Sequence, residues 1–213
     1  MDKRLEKDAR FWDRIAASYA ADPIKDEGGY RRTIGAVIEH LAPGDRVYEM
    51  GCGTGTTALK LASHVRRYAA TDISGEMIAI ARQKAQAAQC QNLDFEVDGT
   101  GSLAQAGAPY DVALAFNVLH LVPSLEAAVA TVHRLLRPGG VFISKTPCVA
   151  LMNPLIQLAI PVMQAFGKAP SVTILNPARI GSALLEAGFQ IEEEAWHGTK
   201  GKDMRPYFVA RKL

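Results

Sequence analysis

A single α/β domain, with a parallel sheet covered by helices on both faces, is the fold this sequence predicts. Short β-rich runs alternate with longer helical stretches between residues 46 and 145, the pattern of strands joined by helical crossovers. The first of these runs ends in a turn with glycine at every second position, Gly51, Gly53 and Gly55, which lets backbone approach a ligand closely. The last two β-like runs, Phe189 to Trp196 and Tyr207 to Arg211, are separated by only His197 to Pro206. That segment is short for a helical crossover, so the two should pair antiparallel.

The elements follow in chain order. Two helices, around Ala9 to Tyr19 and Tyr30 to Leu41, precede the first strand, Arg46 to Met50. A helix then leads from the glycine turn to about Ser63, and Arg67 to Thr71 is the second strand. Ser74-Gly75-Glu76 opens a helix that places Met77, Ile78, Ala81 and Ala85 on one face. Leu93 to Val97 and Asp111 to Asn117 are the third and fourth strands. The helix from about Ser124 to Leu136 is stopped by Arg137-Pro138-Gly139-Gly140 before the fifth strand, Val141 to Lys145. Pro177 to Ala187 is a late helix ended by Gly188.

Composition narrows the function. The 213 residues suit one compact domain, and 48% hydrophobic with 22% charged residues is the balance of an ordinary soluble protein. A net charge of +2 argues against nucleic acid as a partner, which usually shows as clustered Lys and Arg. Cys52, Cys90 and Cys148 are odd in number and widely spaced, so neither a disulfide framework nor a metal site is expected, and a reducing cytoplasm is the natural compartment. The charged first eight residues lack the apolar core of a signal peptide, and no apolar run is long enough to span a bilayer.

The segment Val47 to Thr57 carries the most chemistry. Glu49 stands two places before Gly51, at the carboxyl end of a strand, where ligands of open α/β sheets bind. Glu49-Met50-Gly51-Cys52-Gly53-Thr54-Gly55 resembles the first motif, E/D-x-G-x-G-x-G, of the class I S-adenosylmethionine-dependent methyltransferases. The resemblance continues through Leu136-Arg137-Pro138-Gly139-Gly140 to the final strand pair and is of the small-molecule type. It implies a three-layer sandwich with a mostly parallel seven-stranded sheet whose last strand is antiparallel, and S-adenosylmethionine as cofactor. In a shifted frame, Gly53 to Ala58 also satisfies the G-x-G-x-x-A pattern of NAD(P)-dependent oxidoreductases. A carboxylate at position 49 would repel their pyrophosphate, whereas it attracts the ammonium of adenosylmethionine.

The resemblance assigns the rest of the cofactor site residue by residue. Gly51, Cys52, Gly53 and Gly55 form the turn. Asp72, closing the second strand, would accept from both ribose hydroxyls, with Ile73 and Met77 packed against the adenine or ribose. Asp98 would accept from the adenine amino group, and Gly99 would offer a backbone amide. Asn117 and Val118, at the end of the fourth strand, would lie against the methionine portion. The absence of Asn-Pro-Pro-Tyr or Asp-Pro-Pro-Tyr there speaks against planar amide or base nitrogens as acceptors. Trp12-Asp13-Arg14-Ile15-Ala16-Ala17-Ser18-Tyr19 resembles a W-D-x-x-A-x-x-Y helix of small-molecule methyltransferases, in which the tyrosine reaches the cofactor carboxylate. Residues 1–43 would then form a helical lid, with Tyr19 as its contact; plain amphipathic packing predicts the same spacing.

At the acceptor end, His120 is the candidate general base, alone in its stretch and equally suited to shaping a pocket. The stretch 147–176 reads as an acceptor-side helical insert. Its segment Pro147 to Pro170 is apolar almost all round, and no Asp or Glu occurs from Ala127 to Leu185. With basic residues such as Lys145, Lys168 and Arg179 in that span but no acidic ones, such a helix suits a lipophilic or anionic acceptor or a membrane surface, or else pairs with a second copy or is core. Lys200, Lys202 and Arg205 read as a solvated turn. The function expected is methyl transfer to a small, hydrophobic or lipid-like molecule; a catalytically silent adenosylmethionine-binding protein is the alternative.

Overall fold

The computed structural model describes residues 3–99, 107–201 and 203–213. Two helices come first, α1 (Lys3–Ala21) and α2 (Glu27–Ile38), followed by β1 (Arg46–Met50) and α3 (Thr56–Leu61). Then come β2 (Arg67–Asp72), α4 (Gly75–Ala87), β3 (Leu93–Val97) and β4 (Tyr110–Phe116). The second half holds α5 (Leu125–Leu135), β5 (Leu136–Lys145), α6 (Pro154–Ala165), α7 (Pro177–Glu186), β6 (Phe189–Ala195) and β7 (Tyr207–Lys212). The seven strands form one sheet in the order β3-β2-β1-β4-β5-β7-β6. All neighbours from β3 to β5 pair parallel, and β7 lies antiparallel between β5 and β6.

Strand alternation divides the core between the two faces of the sheet. Val47, Ile143 and Val209 point to one side, where they pack with Val37 of α2, Leu61 of α3 and Ile78 of α4. Their neighbours Tyr48, Phe142 and Phe208 point to the other, against Leu125 and Val129 of α5 and Leu184 of α7. Both faces are therefore covered, which is the three-layer arrangement.

Several boundaries differ from the sequence reading for identifiable reasons. The side chain of Asp26 accepts from the Gly29 amide and starts α2 at Glu27, ahead of Tyr30. Leu136 is extended and pairs with Tyr110, so the expected last residue of the α5 helix is instead the first of β5. Ser74 caps α4 by accepting from the Met77 amide. The apolar insert forms α6, capped by Asn153 and carrying Pro161 inside, but none of its residues is buried. Leu155 and Leu158 are each 72% exposed and Phe166 is 76% exposed, so α6 is not core. Among the described residues no helix is long and apolar enough to cross a membrane.

Candidate functional site

The sheet order reverses between β1 and β4, and at such a switch point the loops after neighbouring strands splay apart to leave a crevice. Glu49, near the end of β1, sits between Ala70 of β2 and Leu114 of β4 and is only 2% exposed. The Tyr68 hydroxyl donates to Glu49 Oε2 at 2.8 Å. Burial pushes the Glu49 carboxyl up to about 7 against that hydrogen bond, with the nearby Asp72 charge adding to the rise. Among the described residues no cationic side chain pairs with it, so its environment suits a ligand that brings a positive group.

Gly51, Gly53 and Gly55 all have positive φ, +68°, +54° and +73°. A Cβ on Gly51 would stand 2.4 Å from Val118 Cγ2, and one on Gly55 would stand 2.6 Å from Phe95 Cζ, so both are packed against protein. A Cβ on Gly53 would meet only Tyr19 Cε1, at 3.8 Å. Space for a ligand therefore lies over Gly53. Asp72 holds this turn: its Oδ2 accepts from the Gly53 amide at 2.9 Å and its Oδ1 from the Ser74 amide at 3.0 Å. Burial still raises its pKa overall. Cys52 is buried, its amide donating to the Thr71 carbonyl, and burial drives its thiol well above the ordinary range; it is an inert wall residue.

The other predicted residues converge on the same place. The Asp98 amide donates to the Asp72 carbonyl, and a Cβ on Gly99 would stand 2.6 Å from Ile73 Cγ2. Asn117 has φ +55°, a conformation that Asn tolerates better than most residues, and its amide donates to the Lys145 carbonyl. From the amino-terminal side, Asp13 of α1 accepts from the Ser74 hydroxyl at 2.6 Å and the Glu76 amide at 3.2 Å. That fastens α1 over the start of α4 and brings Trp12 and Tyr19, packed edge to face, across the glycine turn. Burial and the Asp72 and Glu49 charges raise the Tyr19 hydroxyl. The result is a cleft of about 1060 Å³ lined by Tyr19, Glu49, Gly51, Cys52, Gly53, Asp72, Ile73, Met77, Asp98, Gly99, Asn117 and Val118. Ligand pockets run from about 300 to 1,000 Å³, so this cleft stands at the upper end of that range.

Residues 47–140 match the family model described as a methyltransferase domain. Residues 47–140 are thus similar to a methyltransferase domain, and the fold around them is that of the class I S-adenosylmethionine-dependent methyltransferases. This fold is close to that of magnesium protoporphyrin IX methyltransferase from Synechocystis PCC 6803, solved with bound S-adenosylhomocysteine (TM-score 0.71, 21% identity, 99% of this chain and 97% of that one). In sequence, a highly reducing polyketide synthase from Aspergillus terreus is 35% identical over 124 residues, 53% of this chain and 5% of the synthase. The malonyl-[acyl-carrier protein] O-methyltransferase of Serratia marcescens is 29% identical over 138 residues, 65% of this chain. The chain spans 51% of that enzyme's length.

Within this methyltransferase fold two expectations from sequence fall elsewhere. Gly55 shapes the turn from beneath and does not line the cleft. His120 does not line it either: its Nδ1 is buried without a hydrogen-bond partner, burial pulls the ring down to about 4, and its carbonyl accepts from the Thr173 amide. A neutral ring outside the cleft lining, with its Nδ1 buried, is poorly placed to take a proton from a bound acceptor. No residue of 147–176 lines the cleft among those described, so the insert does not wall this cavity. Sequence reading missed the polar group opposite Glu49. Lys145 ends β5 in register with Phe116, is 8% exposed and lines the cleft with Thr33 and Arg205. The sequence offered only a faint signal, a lysine closing an otherwise apolar strand.

Proposed function

We propose that this chain transfers the methyl group of S-adenosylmethionine to a small molecule with a largely apolar body. The observation that carries the reading is the division of one cleft. Glu49, Asp72 and Asp98 gather at its β1–β3 side, and Ile34, Phe116, Leu121, Val122 and Ala128 wall the remainder. The acidic group suits the ammonium, ribose hydroxyls and adenine amine of the cofactor, and the space over Gly53 admits its backbone-hugging part. When bound, the cofactor supplies an electrophilic methyl on a sulfonium. Glu49 would hold the ammonium end, Asp72 the ribose, and Asn117 the border between donor and acceptor. The half-buried apolar walls would be closed to water by the ligands themselves and set the acceptor in line, so proximity and orientation provide most of the acceleration. His120, outside the cleft, is not required for this.

The test is thermal. Adenosylhomocysteine at about 100 times its Kd should stabilise the native state by about 2.7 kcal/mol, and NAD and NADP should leave the melting temperature unchanged. A shift with NADH and none with adenosylhomocysteine overturns the reading. Binding without transfer of labelled methyl to any small molecule of a cell extract leaves the silent binding protein in its place.

A further inference from the structure

The cleft is electrically lopsided. At the end of β5, the Lys145 ammonium donates to Thr33 Oγ1 at 3.0 Å and stands 3.6 Å from Asp203 Oδ2. Thr33 in turn donates to the Gly29 carbonyl at 2.9 Å and lies 3.1 Å from His197 Nδ1. One hydroxyl has one proton, so with it on Gly29 the imidazole Nδ1–H points at Thr33, and the hydroxyl oxygen accepts from both neighbours. An ammonium has three donors; Thr33 and Asp203 occupy two, leaving one to face the cleft. Asp203 is already shared, accepting from the Gly198 amide at 2.7 Å and the Arg205 amide at 3.1 Å, with Arg205 Nε at 3.6 Å. Lys145 and Arg205 together carry one more positive charge than Asp203 neutralises. Asp26, also on the rim, is answered by the Thr199 hydroxyl and amide and by the Lys200 charge. A buried, under-neutralised lysine is costly unless a ligand completes it.

We propose that Lys145, with Thr33 and Arg205, forms a subsite for a single carboxylate on the acceptor. The Asn117 amide donates to the Lys145 carbonyl at 2.8 Å, so the subsite borders the place where donor and acceptor meet. One excess positive charge matches a monoanion better than a phosphate dianion. The acceptor is then an amphipathic acid, its apolar body along Phe116 and Leu121 and its carboxylate at Lys145. This assignment rests on the methyl-transfer reading above and narrows it.

The experiment uses the acceptor before its identity is known. A protein-free extract of cells that make the protein is split on a strong anion exchanger at neutral pH, and labelled methyl transfer is assayed on both fractions. Transfer should follow the retained fraction, survive its treatment with phosphatase, and vanish when its carboxylates are amidated with carbodiimide and methylamine. Lys145→Gln should raise KM for that fraction about tenfold or more, the usual loss for one charge-assisted hydrogen bond, while its affinity for adenosylhomocysteine stays that of the wild type. Arg205→Gln, at the surface, should raise KM severalfold and guards against a folding defect in the first variant. Acceptor activity in the flow-through, loss to phosphatase, or an unmoved KM in both variants overturns the subsite. No transfer in either fraction, with adenosylhomocysteine still bound, defeats the methyl-transfer reading and this assignment with it.

Discussion

At the scale of single residues, Glu49 and the glycines make opposite kinds of contribution. Glu49 is held near 7 by burial, well above its value of 4.5 in an unfolded chain. The folded apo protein therefore binds a proton there that the unfolded chain has released. The stability Glu49 contributes is fully present below 4.5 and is lost as pH rises towards 7. A ligand ammonium reverses the preference, so adenosylhomocysteine should bind more tightly as pH rises through this window and release a proton from Glu49. Titration calorimetry at about pH 6 in buffers of different ionisation enthalpy should show that release, and Glu49→Gln should remove it; equal heats in all buffers for the wild type would contradict the assignment. Among the glycines, Gly51→Ala drives a methyl into Val118 at a positive φ and should cost about 1–3 kcal/mol of stability. Gly53→Ala meets only Tyr19 at 3.8 Å, so it should cost about 1 kcal/mol, the left-handed backbone penalty, and act mainly on cofactor affinity. Denaturant unfolding beside adenosylhomocysteine titration separates the two; equal stability losses would mean that the space over Gly53 is not the ligand's.

At the scale of elements, the contrast is between α1 and α6, both amphipathic or apolar in sequence. Helix α1 is fixed by polar bonds from Asp13 to the start of α4, and its aromatic face closes over the glycine turn. Helix α6 has a higher apolar content but turns Leu155, Leu158 and Val162 to solvent. Apolar periodicity reports that a face wants to leave water and is silent about what covers it. Leu158→Glu, at a position 72% exposed, should therefore change unfolding free energy by less than about 1 kcal/mol and leave adenosylhomocysteine affinity untouched. A loss of several kcal/mol in chemical denaturation would return α6 to the core. Sedimentation and vesicle flotation of the same variant show whether a second copy or a bilayer meets that face.

At the scale of the whole molecule, the parallel sheet sets up the cleft by bringing the carboxyl ends of β1, β2, β4 and β5 to one edge. The ends of β1 and β2 deliver Glu49 and Asp72, and the end of β5 delivers Lys145, so negative and positive groups line one cleft at the switch point. The chain that returns after β6 adds His197, Asp203 and Arg205 to the positive side before β7 enters the sheet. Residues far apart in sequence thus build the basic end of the cleft, whereas its acidic end comes mostly from one stretch, residues 49 to 99.

That difference explains what was legible. Strand and helix periodicity, the alternating glycines and the strand-end acids are local patterns, imposed by backbone geometry within a few residues, and the sequence by itself determined the sheet, the glycine turn and the positions of Glu49, Asp72 and Asp98. Only the tertiary structure decided that His120 lies outside the cleft lining, that Arg205 joins Asp203 and Lys145 where a solvated turn was expected, and that the apolar insert does not line the cleft. Each of these depends on which distant segments meet, a matter of packing between elements that no spacing within one element encodes.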